Sequence, residues 1–299
     1  MTHALSLAAS APLAVAPPWL DPALFPFSPK AFVTPQGTLR YLDEGAGPPV
    51  LLVHGTPSWS FEWRAQVAAL AKTHRVIVPD HLGFGRSDKP TDPAVLRPED
   101  HAARLLALVD ALDLRDLTLV LHDFGGPIGA PVALERPARV RAVVVMNTWM
   151  WAHADAPRIR WMSRLVGSAL GRWLYLRLNA SPRWIVPAAF GDRRALTARV
   201  HAHYLGPFAE ASARVSAWTL GVRLADSDPF YASLWARREA LGERVTQVVW
   251  GMADPAFGAE YLARWRAAFP RATVTALPGV GHFPQEEAPD AVVEAIRRA

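Results

Sequence analysis

Leu119-Val120-Leu121-His122-Asp123-Phe124-Gly125-Gly126 is a short apolar run that ends in polar residues and passes at once into small ones. That pattern predicts a strand turning sharply into a helix, with the corner residue held exposed above a sheet: a nucleophile elbow. The corner residue is Asp123. A carboxylate is already an anion near neutral pH and needs no base to attack. Its attack suits an sp3 carbon bearing a leaving group and yields an alkyl ester on the enzyme. Attack on an acyl carbon would yield a reactive anhydride, so ester or peptide hydrolysis is the weaker reading.

Outward from this corner, strand and helix signals alternate. They predict an α/β fold, a mostly parallel sheet of about eight strands with helices on both faces. Ala31 to Glu44 reads as a hairpin turning near Gly37, and Pro49 to Val53 as a buried strand entering His54-Gly55-Thr56-Pro57. A helix is expected from Pro57 or Ser58. Further strands are expected at Arg75–Val78, Leu117–Leu121, Arg141–Met146, Val245–Trp250 and Ala272–Ala276. Helices are expected from about Pro98 and over Pro289–Ala299. Between Thr148 and Ala225 the strand signals fade, and Trp149, Trp151, Trp161, Trp173, Trp184 and Trp218 appear. The expected organisation is a loose N-terminal extension (1–18), a core domain (19–147 and 226–299) and a helical cap (148–225). Most of the aromatics are expected to form the cap's own core.

Composition narrows the function classes. The chain has 299 residues, no cysteine, a net charge of +5 and only three lysines, Lys30, Lys72 and Lys89. Disulfides, thiolate metal sites and a cysteine nucleophile are excluded. The arginines are scattered along the sequence, which argues against a nucleic-acid partner. No apolar run is long enough to span a bilayer, so no stable membrane insertion is expected. The stretch from Met1 to about Pro18 lacks the basic region of a signal peptide and reads as a loose extension, with an export signal as the alternative, and a cytoplasmic location is the expectation.

An ester on Asp123 must be hydrolysed, which calls for a base to activate water. His282, after the last strand signal, is the candidate base. Asp254, just past the strand end at Trp250-Gly251, is its candidate acid partner, with Asp155 in reserve. The order along the chain is nucleophile, acid, histidine. The amides of Phe124 and Thr56 are the candidate donors for the oxyanion or leaving group. Gly83-Phe84-Gly85 lacks the rest of a phosphate-loop fingerprint and reads as a turn. His122 with Asp123 has no further ligand at metal spacing, and His201 and His203 point to different faces of a helix. No metal and no cofactor are expected.

Taken with these residues, the motifs His54-Gly55-Thr56-Pro57-Ser58-Trp59-Ser60, Asp80-His81-Leu82-Gly83-Phe84-Gly85-Arg86-Ser87-Asp88-Lys89-Pro90 and His122-Asp123-Phe124-Gly125-Gly126-Pro127 carry a resemblance. So do Met146-Asn147-Thr148-Trp149, Trp250-Gly251-Met252-Ala253-Asp254 and Gly281-His282-Phe283-Pro284-Gln285-Glu286. From about Leu20 onward the chain resembles the haloalkane dehalogenase family of α/β hydrolases, most of all its third subgroup. The resemblance implies Asp123 as nucleophile, His282 as base, Asp254 as acid, no cofactor, and small apolar organic substrates with water. Two positions depart from the family. Phe124 stands where a Trp usually donates its indole N–H to the departing halide, and Thr56 where Asn is common. Missing donors for an anion in an apolar pocket raise its barrier. A β-lactone decarboxylase or epoxide hydrolase on the same scaffold is the alternative. Tyr175 and Tyr204 are the available acids for an epoxide. A non-catalytic ligand receptor is the remaining alternative.

Overall fold

The computed structural model describes residues 6–8 and 16–299. The strands are β1 (Ser6–Ala8), β2 (Lys30–Thr34), β3 (Gly37–Glu44), β4 (Pro49–Val53), β5 (Arg75–Pro79), β6 (Leu117–Asp123), β7 (Val140–Thr148), β8 (Val245–Gly251) and β9 (Thr273–Leu277). They form one sheet in the order β1-β2-β3-β5-β4-β6-β7-β8-β9. Pairings from β5 through β9 are parallel, and β1, β2 and β3 add antiparallel neighbours at one edge. The expected eight strands are therefore present, with short β1 added at the margin. Most of the extension expected over 1–18 lies outside the described residues.

The central strands are apolar throughout because both faces are covered. Side chains alternate between two cores: Leu51, Val53, Leu119, Leu121, Val143 and Val145 point to one. Val50, Leu52, Val120, Val144 and Met146 point to the other. The expected hairpin turns at Gly37, which pairs with Thr34. The helix expected from Pro57 begins later, as a 3-10 turn over Ser60–Trp63 and then α1 (Arg64–Leu70). The delay has a cause: the Ser60 amide donates to Asp80 Oδ1 at 2.7 Å, which ties the chain to the neighbouring loop first. On the core side lie α2 (Pro98–Ala111) and α3 (Gly125–Glu135).

Among the described residues, no strand interrupts the chain between β7 and β8. The helices there are α4 (Pro157–Gly167), α5 (Ala169–Leu178), α6 (Val186–Ala189), α7 (Ala198–Leu205), α8 (Val215–Asp226) and α9 (Asp228–Ala236). Beyond them, α10 (Ala259–Ala268), α11 (Pro284–Glu287) and α12 (Pro289–Arg298) complete the chain. One expectation for the aromatics fails. Trp149 and Trp151 are buried, the latter against Trp265 and Tyr261 of α10 rather than within the insertion. Trp161, Trp173 and Trp184 are exposed. No helix among the described residues is long and apolar enough to cross a membrane.

Candidate active site

The corner between β6 and α3 is as tight as its sequence requires. Asp123 has φ +50, a left-handed backbone that non-glycine residues adopt seldom and at a cost. Two bonds hold it there. The Thr148 hydroxyl donates to the Asp123 carbonyl at 2.5 Å, and the Thr56 amide donates to Asp123 Oδ1 at 2.8 Å. Gly55 makes the second possible, since a Cβ at 55 would lie 2.1 Å from Asp123 Oδ1.

The His54-to-Pro57 loop is itself fixed from beneath. His54 donates from Nδ1 to the Gly55 carbonyl at 2.7 Å and accepts the His81 amide on Nε2 at 3.0 Å. His81 returns a bond from Nε2 to the His54 carbonyl at 3.1 Å. Burial holds both imidazoles well below the ordinary histidine value, so they serve as neutral ties. The Gly83-Phe84-Gly85 segment is a turn closed by Lys89, whose ammonium donates to the carbonyls of Phe84, Gly85 and Ser87. Burial lowers that lysine to about 8.

Asp123, His282 and Asp254 come together from three sheet ends. His282 Nδ1 donates to Asp254 Oδ2 at 2.7 Å, and His282 Nε2 lies 3.5 Å from Asp123 Oδ2. All three are nearly fully buried. Burial alone would push His282 down, but Asp254 first and then Asp123 outweigh it and hold the imidazole well above its ordinary value. Burial would raise Asp254, yet His282 and the donors around it keep the carboxyl below the usual carboxylate range. Asp254 also accepts the Ala256 amide on Oδ1 at 2.7 Å, a turn-capping bond made by the same side chain. Asp155 does not approach His282; it lies beside Trp151 and Arg264 instead.

Sequence reasoning missed the supports. Asn147 donates to Asp254 Oδ2 at 2.8 Å while bracketing Gly251, with its amide O accepting Gly251 N–H at 2.8 Å. His122 donates from Nε2 to the His282 carbonyl at 2.7 Å and faces buried Glu62 and Gln285 on its other nitrogen. The His282 amide donates to the Ala189 carbonyl of α6 at 2.8 Å. Gly281 permits this packing, since a Cβ there would lie 2.2 Å from the Ala189 carbonyl. Glu286 takes a bidentate bond from Arg64 and a third from the Tyr204 hydroxyl at 2.7 Å, joining α1, α7 and the histidine loop.

Asp123 and His282 face a cavity of about 220 Å³, with Asp254 behind the imidazole. Thr56, Asp123, Phe124 and His282 form its polar end. Ile159, Met162, Val166, Ile185 and Leu224 of the insertion make the rest largely apolar. The Thr56 hydroxyl is buried there without a partner among the described residues. Phe124 packs edge-on against Trp149, with ring centroids 4.8 Å apart. Among the described residues, no tryptophan or asparagine side chain lines the cavity; Arg158 is its one arginine or lysine, and Tyr175 is its only phenol. Burial raises Tyr175 to about 12. Tyr204 is committed to Glu286 and does not reach the cavity. His201 bonds the Pro182 carbonyl and His203 the Asp21 amide, so each ring has its own partner.

A family model described as the alpha/beta hydrolase fold matches residues 48–289. Haloalkane dehalogenase 2 of Mycobacterium tuberculosis is 37% identical over 278 residues, covering 92% of this chain and 96% of that one. A cis-3-alkyl-4-alkyloxetan-2-one decarboxylase of Shewanella oneidensis is 34% identical over 285 residues, covering 92% of this chain and 88% of its own. Among solved structures, haloalkane dehalogenase DbeA of Bradyrhizobium elkani superposes with a TM-score of 0.78 at 24% identity, over 91% of this chain and 99% of that one; this likeness shows the fold alone.

Proposed function

The chain belongs to the haloalkane dehalogenase family of α/β hydrolases, and on that premise we propose that it cleaves carbon–halogen bonds of small apolar substrates by double displacement. The observation that carries this reading is the carboxylate of Asp123, set at a left-handed corner 3.5 Å from His282 and facing an apolar cavity. In the first step an Asp123 oxygen bonds to the substrate carbon, and halide departs with the electron pair of the broken bond. Esterification removes a negative charge that helps hold the proton on His282, so the imidazole gives that proton up more readily as the ester forms and is free to accept one from water. In the second step His282 takes a proton from water, and the hydroxide attacks the ester carbonyl carbon. The amides of Thr56 and Phe124 stabilise the oxyanion. Collapse expels the alkoxide, which takes the proton from His282 and leaves as the alcohol. The carboxylic acid left at Asp123 then gives its proton to His282, which passes it to solvent, and the carboxylate is restored. Asp254 orients the imidazole and stabilises its cation. The helical segment 148–225 acts as the cap that keeps water scarce around the ester.

A second reading rests on a specific observation: among the described residues, the cavity holds neither the indole nor the amide expected of a halide grip. The oxetan-2-one of the decarboxylase relative is a β-lactone, and a ring-opening substrate keeps its leaving group attached. There Asp123 would bond to the ring carbon as the carbon–oxygen bond breaks, exposing a carboxylate that Arg158 is placed to meet. Loss of CO2 would then send the electron pair into a new C=C bond and expel Asp123. Tyr175 is the acid available for an epoxide. A panel of bromo- and iodoalkanes, a β-lactone and an epoxide decides between them. Halide release abolished by Asp123→Asn supports the first reading. Alkene and CO2 from the lactone, without halide from any haloalkane, overturn it.

A further inference from the structure

Although arginines occur along the whole sequence, their surplus over acidic residues falls on one stretch of the helical insertion. Between Ala156 and Gly191 there is no carboxylate, and six arginines occur: Arg158, Arg160, Arg164, Arg172, Arg177 and Arg183. Six charges exceed the net +5 of the whole chain. All six are exposed. The first ion pair on the C-terminal side is Arg194 with Asp192, beyond the stretch. Among the described residues these arginines make no ion pair, unlike Arg64 or Arg75 in the core domain.

Large apolar side chains stand among them. Trp161 is 63% exposed, Leu170 59% and Trp173 51%, and Trp184, Ile185 and Leu165 are also open to solvent. In α4, Trp161 and Leu165 are one turn apart and so share a face, while Ile159, Met162 and Val166 turn inward to the cavity. In α5, Leu170 and Trp173 lie three apart on the outer side, and Tyr175 points to the cavity. The outward sides of these helices thus surround the cavity wall that their inward sides build. Arg158 and Ile185 belong to both sets, so the exposed face begins at the cavity itself.

We propose that this face, carried by α4, α5 and the segment around Trp184, docks the protein onto an anionic lipid bilayer. Indole rings and arginines are the side chains that settle at a headgroup boundary, and aliphatic residues reach the acyl layer beneath. The charge is complementary to an acidic leaflet, which attracts each nearby basic side chain by about a fivefold factor in affinity. The exposed leucines and isoleucine favour lipid over nucleic acid, since they offer a base nothing to stack on. The attachment is peripheral. It places the opening of an apolar cavity against the phase in which apolar substrates concentrate. This inference concerns binding and is independent of which bond the active site breaks.

The full-length protein is mixed with vesicles of phosphatidylcholine alone or with added phosphatidylglycerol, and binding is read by co-sedimentation and tryptophan emission. Binding is expected on the anionic vesicles only, with a blue shift and with loss at high salt. Arg160→Gln, Arg164→Gln, Arg177→Gln and Arg183→Gln together should weaken it at least about fiftyfold. Trp161→Ser with Trp173→Ser should remove most of the blue shift. None of these residues lines the cavity, so thermal melting and turnover of soluble substrate should remain those of the parent. Absence of binding at low salt overturns the proposal. Equal binding of the arginine variant overturns it too. An oligomer that dissociates in the tryptophan variant assigns the face to a second copy of the chain, and displacement of vesicles by an oligonucleotide assigns it to nucleic acid; either result refutes lipid docking.

Discussion

Asp254→Asn separates the two chemical steps, and its effect follows from counting donors. Asp254 Oδ2 takes His282 Nδ1 at 2.7 Å and Asn147 Nδ2 at 2.8 Å, while Oδ1 takes the Ala256 amide at 2.7 Å. An amide at 254 has one oxygen for these three donors. If that oxygen stays on Ala256, its NH2 group meets two donors. Asn147 cannot turn to relieve this, because its Oδ1 is held by the Gly251 amide at 2.8 Å. Two charge-assisted bonds are then lost, at about 1.5–3 kcal/mol each. A loss of about 3–6 kcal/mol slows the water step by about two to four powers of ten. Displacement by Asp123 needs no base and is unaffected. Rapid mixing with a substrate that the parent enzyme turns over should give a stoichiometric burst of leaving group, an adduct visible in the intact mass, and then slow turnover. Parent-like steady-state turnover, or equal slowing of both phases with no adduct, would refute the reasoning.

The same substitution has a pH signature. The stabilisation from Asp254 is present above the ordinary carboxyl value of 3.8 and is lost as pH falls through the lowered folded value. The stabilisation from His282 is present below the ordinary 6.5 and is lost as pH rises through the raised folded value. Both are fully present between about pH 4 and 6.5, so the gap in melting temperature between parent and variant should be widest there. A gap that widens steadily into alkali would reverse the assigned direction for His282.

Three further substitutions address the nucleophile and its surroundings. His282→Phe should let the ester on Asp123 accumulate, read by mass; turnover without any adduct would remove the covalent model. Phe124→Trp should raise halide release at least about tenfold if the missing N–H limits departure. It should also lower stability by about 1–3 kcal/mol, because Phe124 already packs edge-on against Trp149. An unchanged rate would show that the donor is not limiting. Gly55→Ala forces the Asp123 carboxylate to move, since the new methyl would lie 2.1 Å from Oδ1. The burst itself should fall at least about a hundredfold, and a normal burst would mean that this contact does not position the carboxylate for attack.

The sheet is legible because its strands are short apolar runs closed by glycine, proline or acidic residues, and each expected strand lies within a few residues of the observed one. The N-terminal turn of α1 is misplaced by sequence because a tertiary bond, Ser60 to Asp80, decides where it starts. The meeting of Asp123, Asp254 and His282 can be expected from their order and from their positions after strand ends. The roles of Asn147, His122 and Glu62 cannot, because each acts through a partner 60 or more residues away in the chain. The tryptophans mislead for a related reason. Composition shows that an aromatic is present, but only packing shows whether it is covered, and Trp161 and Trp151 meet opposite fates.

The bond from the His282 amide to the Ala189 carbonyl, made where α6 meets the histidine loop, has a consequence for how such enzymes diverge. Substrate range and proton transfer share a mechanical joint. Exchanging the whole insertion for a foreign one would retune selectivity and displace the base in a single event. Productive diversification should therefore proceed by point changes along the inward sides of α4 and α8, leaving the Val186–Phe190 backbone as a fixed hinge-pin.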